Sequence, residues 1–334
     1  MMCVILTSQV LGGWEPWVGI RELESKSVAI IAGSVLEVQR VQLVGTGADG
    51  SREFRITTTM SSDVVIKGDV AESVLAIENV CSDSDDDPRP TINLQKGEQF
   101  VAFLSSKAGK YSFTSVWRPG FRVSGSAIAK YKGSKCDLQN LLVLSLDEND
   151  RACAKDAMIA LQDMGSRSHL QRIDALSKCD DPVIRGYALA ACLKQGMAAH
   201  LRDAMGYIDQ IPDTEENTRA KAEIIMSIDR VTDKTSLPDL HKLLSHSRPE
   251  VRRSIALSIR NIESSESIPH LITALDDSDD SVRWICLSAL ESILGPRETD
   301  EESVVYTRQE YSAALKAWKT WWQTEDAAKY KAAQ

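Results

Sequence analysis

An arginine followed by small or apolar residues recurs through the second half of the chain at nearly constant spacing. Arg151, Arg185, Arg219, Arg252 and Arg283 stand 34, 34, 33 and 31 residues apart. Three residues beyond each comes Ala154, Ala188, Ala222, Ile255 or Cys286, and seven beyond comes Met158, Cys192, Met226, Ile259 or Leu290. Offsets of three and seven fall on one face of an α-helix. A second stripe precedes the later anchors: Leu237, Leu240 and Leu244, then Ile268, Leu271, Ile272 and Leu275. Each unit therefore reads as two amphipathic helices of about 11 residues, too short to bury their apolar faces alone. Stacking against neighbouring units solves this and yields an α-solenoid.

The turns between paired helices carry their own signals. Asp181 before Pro182 fits an N-cap followed by proline at the first helical position, and Pro249 opens the corresponding helix two repeats later. In the last unit the acidic knot from Asp276 to Asp280 precedes the helix, and Asp279 or Asp280 is expected to cap it. A calcium loop would need Gly at its sixth position and Glu at its twelfth. Counted from Asp276 those positions hold Ser281 and Leu287; counted from Asp83, in "DSDDDPRP", they hold Pro88 and Leu94. Neither stretch fits a calcium loop. The aligned arginines are expected to pair with turn carboxylates of the neighbouring unit.

"SRPEVRRSIALSI", "DSDDSVRWICLSAL" and, with one residue more, "CDDPVIRGYALAAC" resemble HEAT repeats of the short kind related to phycobilisome lyases. The resemblance spans residues 136–295 and is clearest in the last two units. It implies a non-enzymatic scaffold that binds a protein partner on the concave face. The same resemblance leaves open a lyase or chaperone-like enzyme for a tetrapyrrole-type cofactor.

Before residue 125 the composition is different. "SVAIIAGSVLEVQRVQLV", "REFRITTTM", "SDVVIKG", "SVLAIEN", "EQFVAFLSS" and "KYSFTSVW" are β-branched and aromatic runs separated by clusters such as "GTGADGS" and "CSDSDDDPRP". Five or six short strands in so few residues predict a small antiparallel barrel or sandwich. The order of a short helix, these strands and the Lys-Gly/Gly-Glu pair resembles netrin-like, OB-type barrels over residues 18–124. That resemblance extends to tissue inhibitors of metalloproteinases, whose activity implies a mature N-terminal Cys. Here Cys3 follows two Met residues, so protease inhibition is a minor alternative.

Charge narrows the partners. Of 39 Lys+Arg and 48 Asp+Glu, 14 and 15 lie before residue 134, leaving the acidic excess in the helical half. Such a surface repels a phosphate backbone, so nucleic acid is not expected. No apolar run approaches the roughly 20 residues of a membrane span. The start, "MMCVILTSQVLGGW", lacks a basic residue ahead of its apolar segment. Seven cysteines show no CxxC pairing, and Cys153, Cys192 and Cys286 fall in apolar helical patterns, as reduced core thiols do. A cytoplasmic location is expected, with export on an atypical or truncated signal as the alternative.

The five His residues form no HExxH, and GxSxG and Walker-type signals are missing; "GTGADG" spells GxGxxG but lies between strands with no helix after it, as a hairpin turn does, so neither catalytic residues, cofactor nor metal site are expected. In the tail, Thr307 and Glu310 form a capping box, and Tyr311, Leu315, Trp318 and Trp322 share a helical face suited to covering the last repeat. The resulting fold class is multidomain α and β. A β-barrel-like domain (1–124), a linker (125–136), a HEAT-like solenoid (137–295) and a Trp-rich capping region (296–334) follow one another. Positions one, five and eight after each anchor share a face, which in the last two units holds Arg253, Leu257, Arg260, Trp284 and Ser288. Arg and Trp dominate interface energetics, so Arg253, Arg260 and Trp284 are the expected binding residues.

Overall fold

The structure is a computed structural model that describes residues 20–46, 52–83, 94–115, 120–134, 136–146, 149–164, 169–295, 308–324 and 327–331. Cys3 and the apolar start, most of the "GTGADGS" turn, residues 84–90 of the second acidic stretch and Thr307 lie outside the described residues. The chain divides into two compact units, Met1–Arg172 and Ile173–Gln334.

The first unit opens with helix α1 (Ile20–Lys26) and continues with β1 (Ala29–Thr46), β2 (Arg52–Ser61), β3 (Val64–Lys67), β4 (Val74–Asp83), β5 (Gln99–Lys107), β6 (Lys110–Phe113) and β7 (Gly120–Arg122). Five strands close a barrel in the circuit β1–β2–β4–β6–β5–β1, while β3 adds to β1 and β7 to β5. All pairs are antiparallel except β4–β6.

Closure depends on the length of β1. Its first half, from Ala29 to Ser34, pairs with β5, and its second half pairs with β2 from Val35 onward. Gly33 stands at the changeover, where a Cβ would lie 1.8 Å from the carbonyl oxygen of Ser61. No side chain fits there, and the register shift between Val35 and Glu37 bends the strand just beyond. Alternate residues of β1 and β5 point inward, so Ala29, Ile31, Val35, Phe100, Ala102 and Leu104 join Ile56, Met60, Ile77 and Phe113 in the barrel core.

The opposite faces of these two strands are also apolar: Ile30, Ala32, Val101 and Phe103 are fully buried. Helices supply the cover. Where a linker is expected, Ser124 caps α2 (Gly125–Tyr131) by accepting from the Ala127 N–H, and Asp137 caps α3 (Leu138–Leu144). Helix α4 (Arg151–Asp163) packs against β7, α3 and α1. Arg122 of β7 fastens the contact, its N–H donating to Asp156 and its Nε donating to Glu98, both at 3.0 Å.

The unit boundary falls within α5 (Leu170–Leu176). The second unit then runs through α6 (Pro182–Lys194), α7 (Leu201–Gln210), α8 (Glu215–Ser227), α9 (Leu237–Leu243), α10 (Pro249–Ile262), α11 (Ile268–Ala274), α12 (Asp280–Leu294), α13 (Arg308–Trp322) and α14 (Ala328–Lys331). The long helices stack in sequence, α6 on α8, α8 on α10 and α10 on α12, with α7, α9 and α11 between them. The paired helices are unequal, and 3-10 turns at Ala198–His200, Lys234–Ser236 and Ser265–Ser267 lead into the short ones. This is the HEAT-like solenoid that the period predicts. Helices α13 and α14 lie against α11, with Trp318 fully buried and Trp321 nearly so.

Candidate functional site

The recurring arginine has a local task. Arg185, Arg252 and Arg283 each occupy the fourth position of their helix, and each donates through Nη1 to the carbonyl six residues back: Cys179, His246 and Asp277. Those carbonyls belong to the tight turn entering the helix, where backbone acceptors lack intrahelical partners. The arginine thus binds the turn to its own helix.

Arg219 does not share this role. It is exposed and pairs with Glu215 on its own helix, and Met226, seven residues on, is 55% exposed. The buried face of α8 is Asn217, Ala220, Lys221, Ile224 and Ser227, two residues out of step with an Arg219 anchor. Asn217 holds the anchor position instead, its Nδ2 donating to the carbonyl of Pro212 at 3.1 Å. Lys221 reaches the same turn, donating to the Ile211 carbonyl and to Asp213.

The acidic knot serves as a junction between repeats. Asp277 accepts from Nε and Nη2 of Arg252, both at 2.7 Å, and this pair is about nine-tenths removed from solvent. Burial acts to raise the Asp277 carboxyl, yet the Arg252 hydrogen bonds and charge hold it below the usual range. Asp279 accepts from Arg253 and also caps α12 by accepting from the Val282 N–H at 3.0 Å. The Arg253 bond, aided by that cap, brings Asp279 down to about 2. Asp280 pairs with Arg283, and Asp276 with Lys319 of α13. Inter-repeat pairing is thus formed by Arg252 and Arg253, whereas the hydrogen bonds of Arg185 and Arg219 stay within their own units.

The three expected binding residues lie on two stacked helices. Arg253 and Arg260 are seven residues apart on one face of α10, and Trp284 occupies on α12 the position that Arg253 occupies on α10. All three are half-buried, as are Leu257 and Ser288. Arg253 is oriented by its two bonds to Asp279, and Trp284 meets Tyr311 of α13 at 5.6 Å between ring centroids. A histidine stack, unmarked by any motif, sits between two repeats: His241 of α9 and His270 of α11 lie 3.9 Å apart and nearly parallel. Burial lowers both, and His241, with His270 beside it, falls to about 4.

Among the described residues, one group of three has the donors to hold a metal ion, although no metal site is expected from the motifs. Asp174, Cys192 and His200 each place a ligand atom within 4.8 Å of the other two. Their separations in sequence match no common metal motif, and only the turn after α6 brings them together. Cys136, Cys153, Cys179, Cys192 and Cys286 are thiols outside any disulfide. Burial pushes Cys192 and Cys286 up to about 12, so neither is an activated nucleophile.

Comparison with known protein families agrees with the repeat reading of α8 to α12. A family model described as HEAT repeats matches residues 207–291. The bilin biosynthesis protein MpeU of Synechococcus sp. (strain WH8020) is 28% identical over 138 residues, 41% of this chain and 46% of that protein. The match therefore spans under half of the relative's length. Among solved structures, a designed armadillo repeat protein in complex with the peptide (KR)4 is 16% identical, covering 59% of this chain and 98% of its own, with a TM-score of 0.32. An engineered protein is 20% identical, covering 46% and 78%, with a TM-score of 0.32.

The MpeU match corrects one expectation. The lack of familiar catalytic motifs is grounds for predicting a non-enzyme, but a relative named for biosynthesis overturns that inference. Those motifs represent only a few chemistries, and their absence does not exclude others. From Tyr207 to Glu291 the chain is similar to HEAT-repeat proteins, in keeping with the stacked helices of that stretch.

Proposed function

We propose that the second unit recognises a protein partner along the row formed by Arg253, Leu257 and Arg260 on α10 and continued at Trp284 and Ser288 on α12. The observation that supports this reading most is the half-exposure of these side chains on two stacked helices inside the HEAT-matching stretch. Side chains fixed on rigid helices lose little conformational freedom on binding. Arg253, already oriented by Asp279, is pre-set for this role, and an aromatic residue beside arginines is the usual make-up of an energetic centre.

The test uses a partner co-purified from the native host and then prepared pure. Replacing Arg260→Glu should weaken its affinity at least about tenfold while leaving the melting temperature unchanged. Unchanged affinity would overturn the assignment of the surface.

A second reading draws on the relationship to MpeU: the chain acts in the handling of a bilin-type tetrapyrrole, with the repeats receiving the protein that carries it. This reading predicts that mixing the pure chain with a free bilin changes the pigment's visible absorption. A spectrum identical to that of bilin in buffer would sink it.

A further inference from the structure

The turn leaving α6 creates an arrangement that the repeat itself does not require. Gly196 takes a left-handed conformation, with φ of 77°, and the Met197 N–H bonds back to the Cys192 carbonyl at 3.0 Å. This closure reverses the chain and carries it into the 3-10 turn that ends at His200, while Asp174 approaches from α5. The result joins a carboxylate, a thiol and an imidazole.

Each partner differs from an ordinary core residue. Cys192 is fully buried and His200 is 6% exposed. Nε2 of His200 lies 2.8 Å from Oδ1 of Asp174, whereas its Nδ1 is buried without a hydrogen-bond partner. A buried ring nitrogen left unsatisfied carries a desolvation cost that a ligand could relieve. The imidazole is therefore held on one side only. Asp174 is one-third exposed, with a loose contact from Lys178 to its Oδ2 at 3.4 Å, so its carboxylate is the group's solvent-facing edge.

We propose that Asp174, Cys192 and His200 bind a single thiophilic divalent cation of the zinc type. Sulfur, nitrogen and oxygen donors in this combination suit zinc, whose bonds to them run about 2.0–2.3 Å. Ligand atoms on one tetrahedral ion stand about 3.4–3.7 Å apart, so the 2.8 Å His200–Asp174 contact must open while the other separations already lie within 4.8 Å. Binding displaces the thiol proton of Cys192, and coordination through Nε2 moves the imidazole proton to Nδ1. The cation's charge replaces the stabilisation that burial denies to the thiolate. Three protein ligands leave the fourth position of a tetrahedral ion open to water or another donor.

Cobalt provides the test, because a cobalt–thiolate bond has its own near-ultraviolet charge-transfer band. Titrating Co²⁺ into the chelator-treated full chain should produce that band and saturate near one equivalent. The band should vanish in Cys192→Ala and persist in Cys286→Ala, which removes a buried thiol elsewhere. His200→Ala and Asp174→Asn should each weaken zinc affinity at least about tenfold, measured by competition with a chromophoric chelator. Absence of the band from the unaltered chain, or its survival in Cys192→Ala, would overturn the proposal. The first of these outcomes needs no variant and so does not depend on whether a variant folds.

Discussion

Two junctions of the second unit perform the same task by different means. Where α6 meets α8, the helices approach closely over Gly186: a Cβ there would lie 2.7 Å from the Tyr207 ring and 2.8 Å from Ala220 Cβ. Arg185 sits 6.0 Å from the Tyr207 ring centroid, whereas Arg252 meets the Asp277 carboxylate. Where α10 meets α12, Ile255, Ile259 and Cys286 occupy the contact, and two Arg–Asp pairs span the turn. The first junction is specified by shape and the second by charge. A repeat family can thus keep its geometry while exchanging the interaction that sets the register between neighbours.

The comparison breaks most readily at the charged junction. Asp277→Ala leaves the Arg252 guanidinium buried without its partner, and should cost about 3 kcal/mol in a urea titration. At the close-packed junction, Gly186→Ala forces the Tyr207 ring or α8 to shift, with an expected loss of about 1–3 kcal/mol. Restoring room by Tyr207→Leu in the same chain should recover part of that loss, whereas simple additivity would show that the two sites are not in contact.

Acid should separate the interactions in a different way. The folded pKa of His241 is depressed to about 4, so the unfolded chain binds more protons between about pH 4 and 6.5. Stability from the His241–His270 stack is therefore complete above the unfolded value and is lost as pH falls through that window, by on the order of 1–2 kcal/mol after allowing for solvent screening. Asp277 and Asp279 also have lowered values, so their contribution is held until pH falls below the ordinary carboxylate value near 3.8. Melting temperatures at stepped pH should consequently fall in two stages. In His241→Gln the upper stage should shrink while the lower one remains.

Much of this architecture is legible in the amino-acid order alone, for physical reasons that differ by region. Helical periodicity is local, and the offsets between Arg252, Ile255 and Ile259 mark the repeat without reference to other parts of the chain. β-Branched runs similarly mark strands, but the pairing of β1 with β5 joins residues about 70 positions apart and leaves no local sign. Helix α2 is hidden because seven residues, about two turns, are too few to show a period, although its Ser124 cap is visible. Arg219 misleads for a subtler reason: it stands at the expected interval, yet Thr214 starts α8 so that Asn217 reaches the inner face. The metal-capable group is hidden since Asp174, Cys192 and His200 converge only through the turn at Gly196. Arg253, Arg260 and Trp284 can be placed on their helices from sequence, whereas the Asp279 and Tyr311 contacts cannot.

The assignment of Asn217, rather than Arg219, to the anchor position is the most direct test of the repeat register. Paired urea titrations of Asn217→Ala and Arg219→Ala decide it. Losing the buried Asn217 amide, which binds the Pro212 carbonyl, should cost about 1–2 kcal/mol, while the exposed Arg219 should change stability by less than about 0.5 kcal/mol. The reverse order, with Arg219→Ala the more damaging, would contradict the register on which the repeat architecture rests.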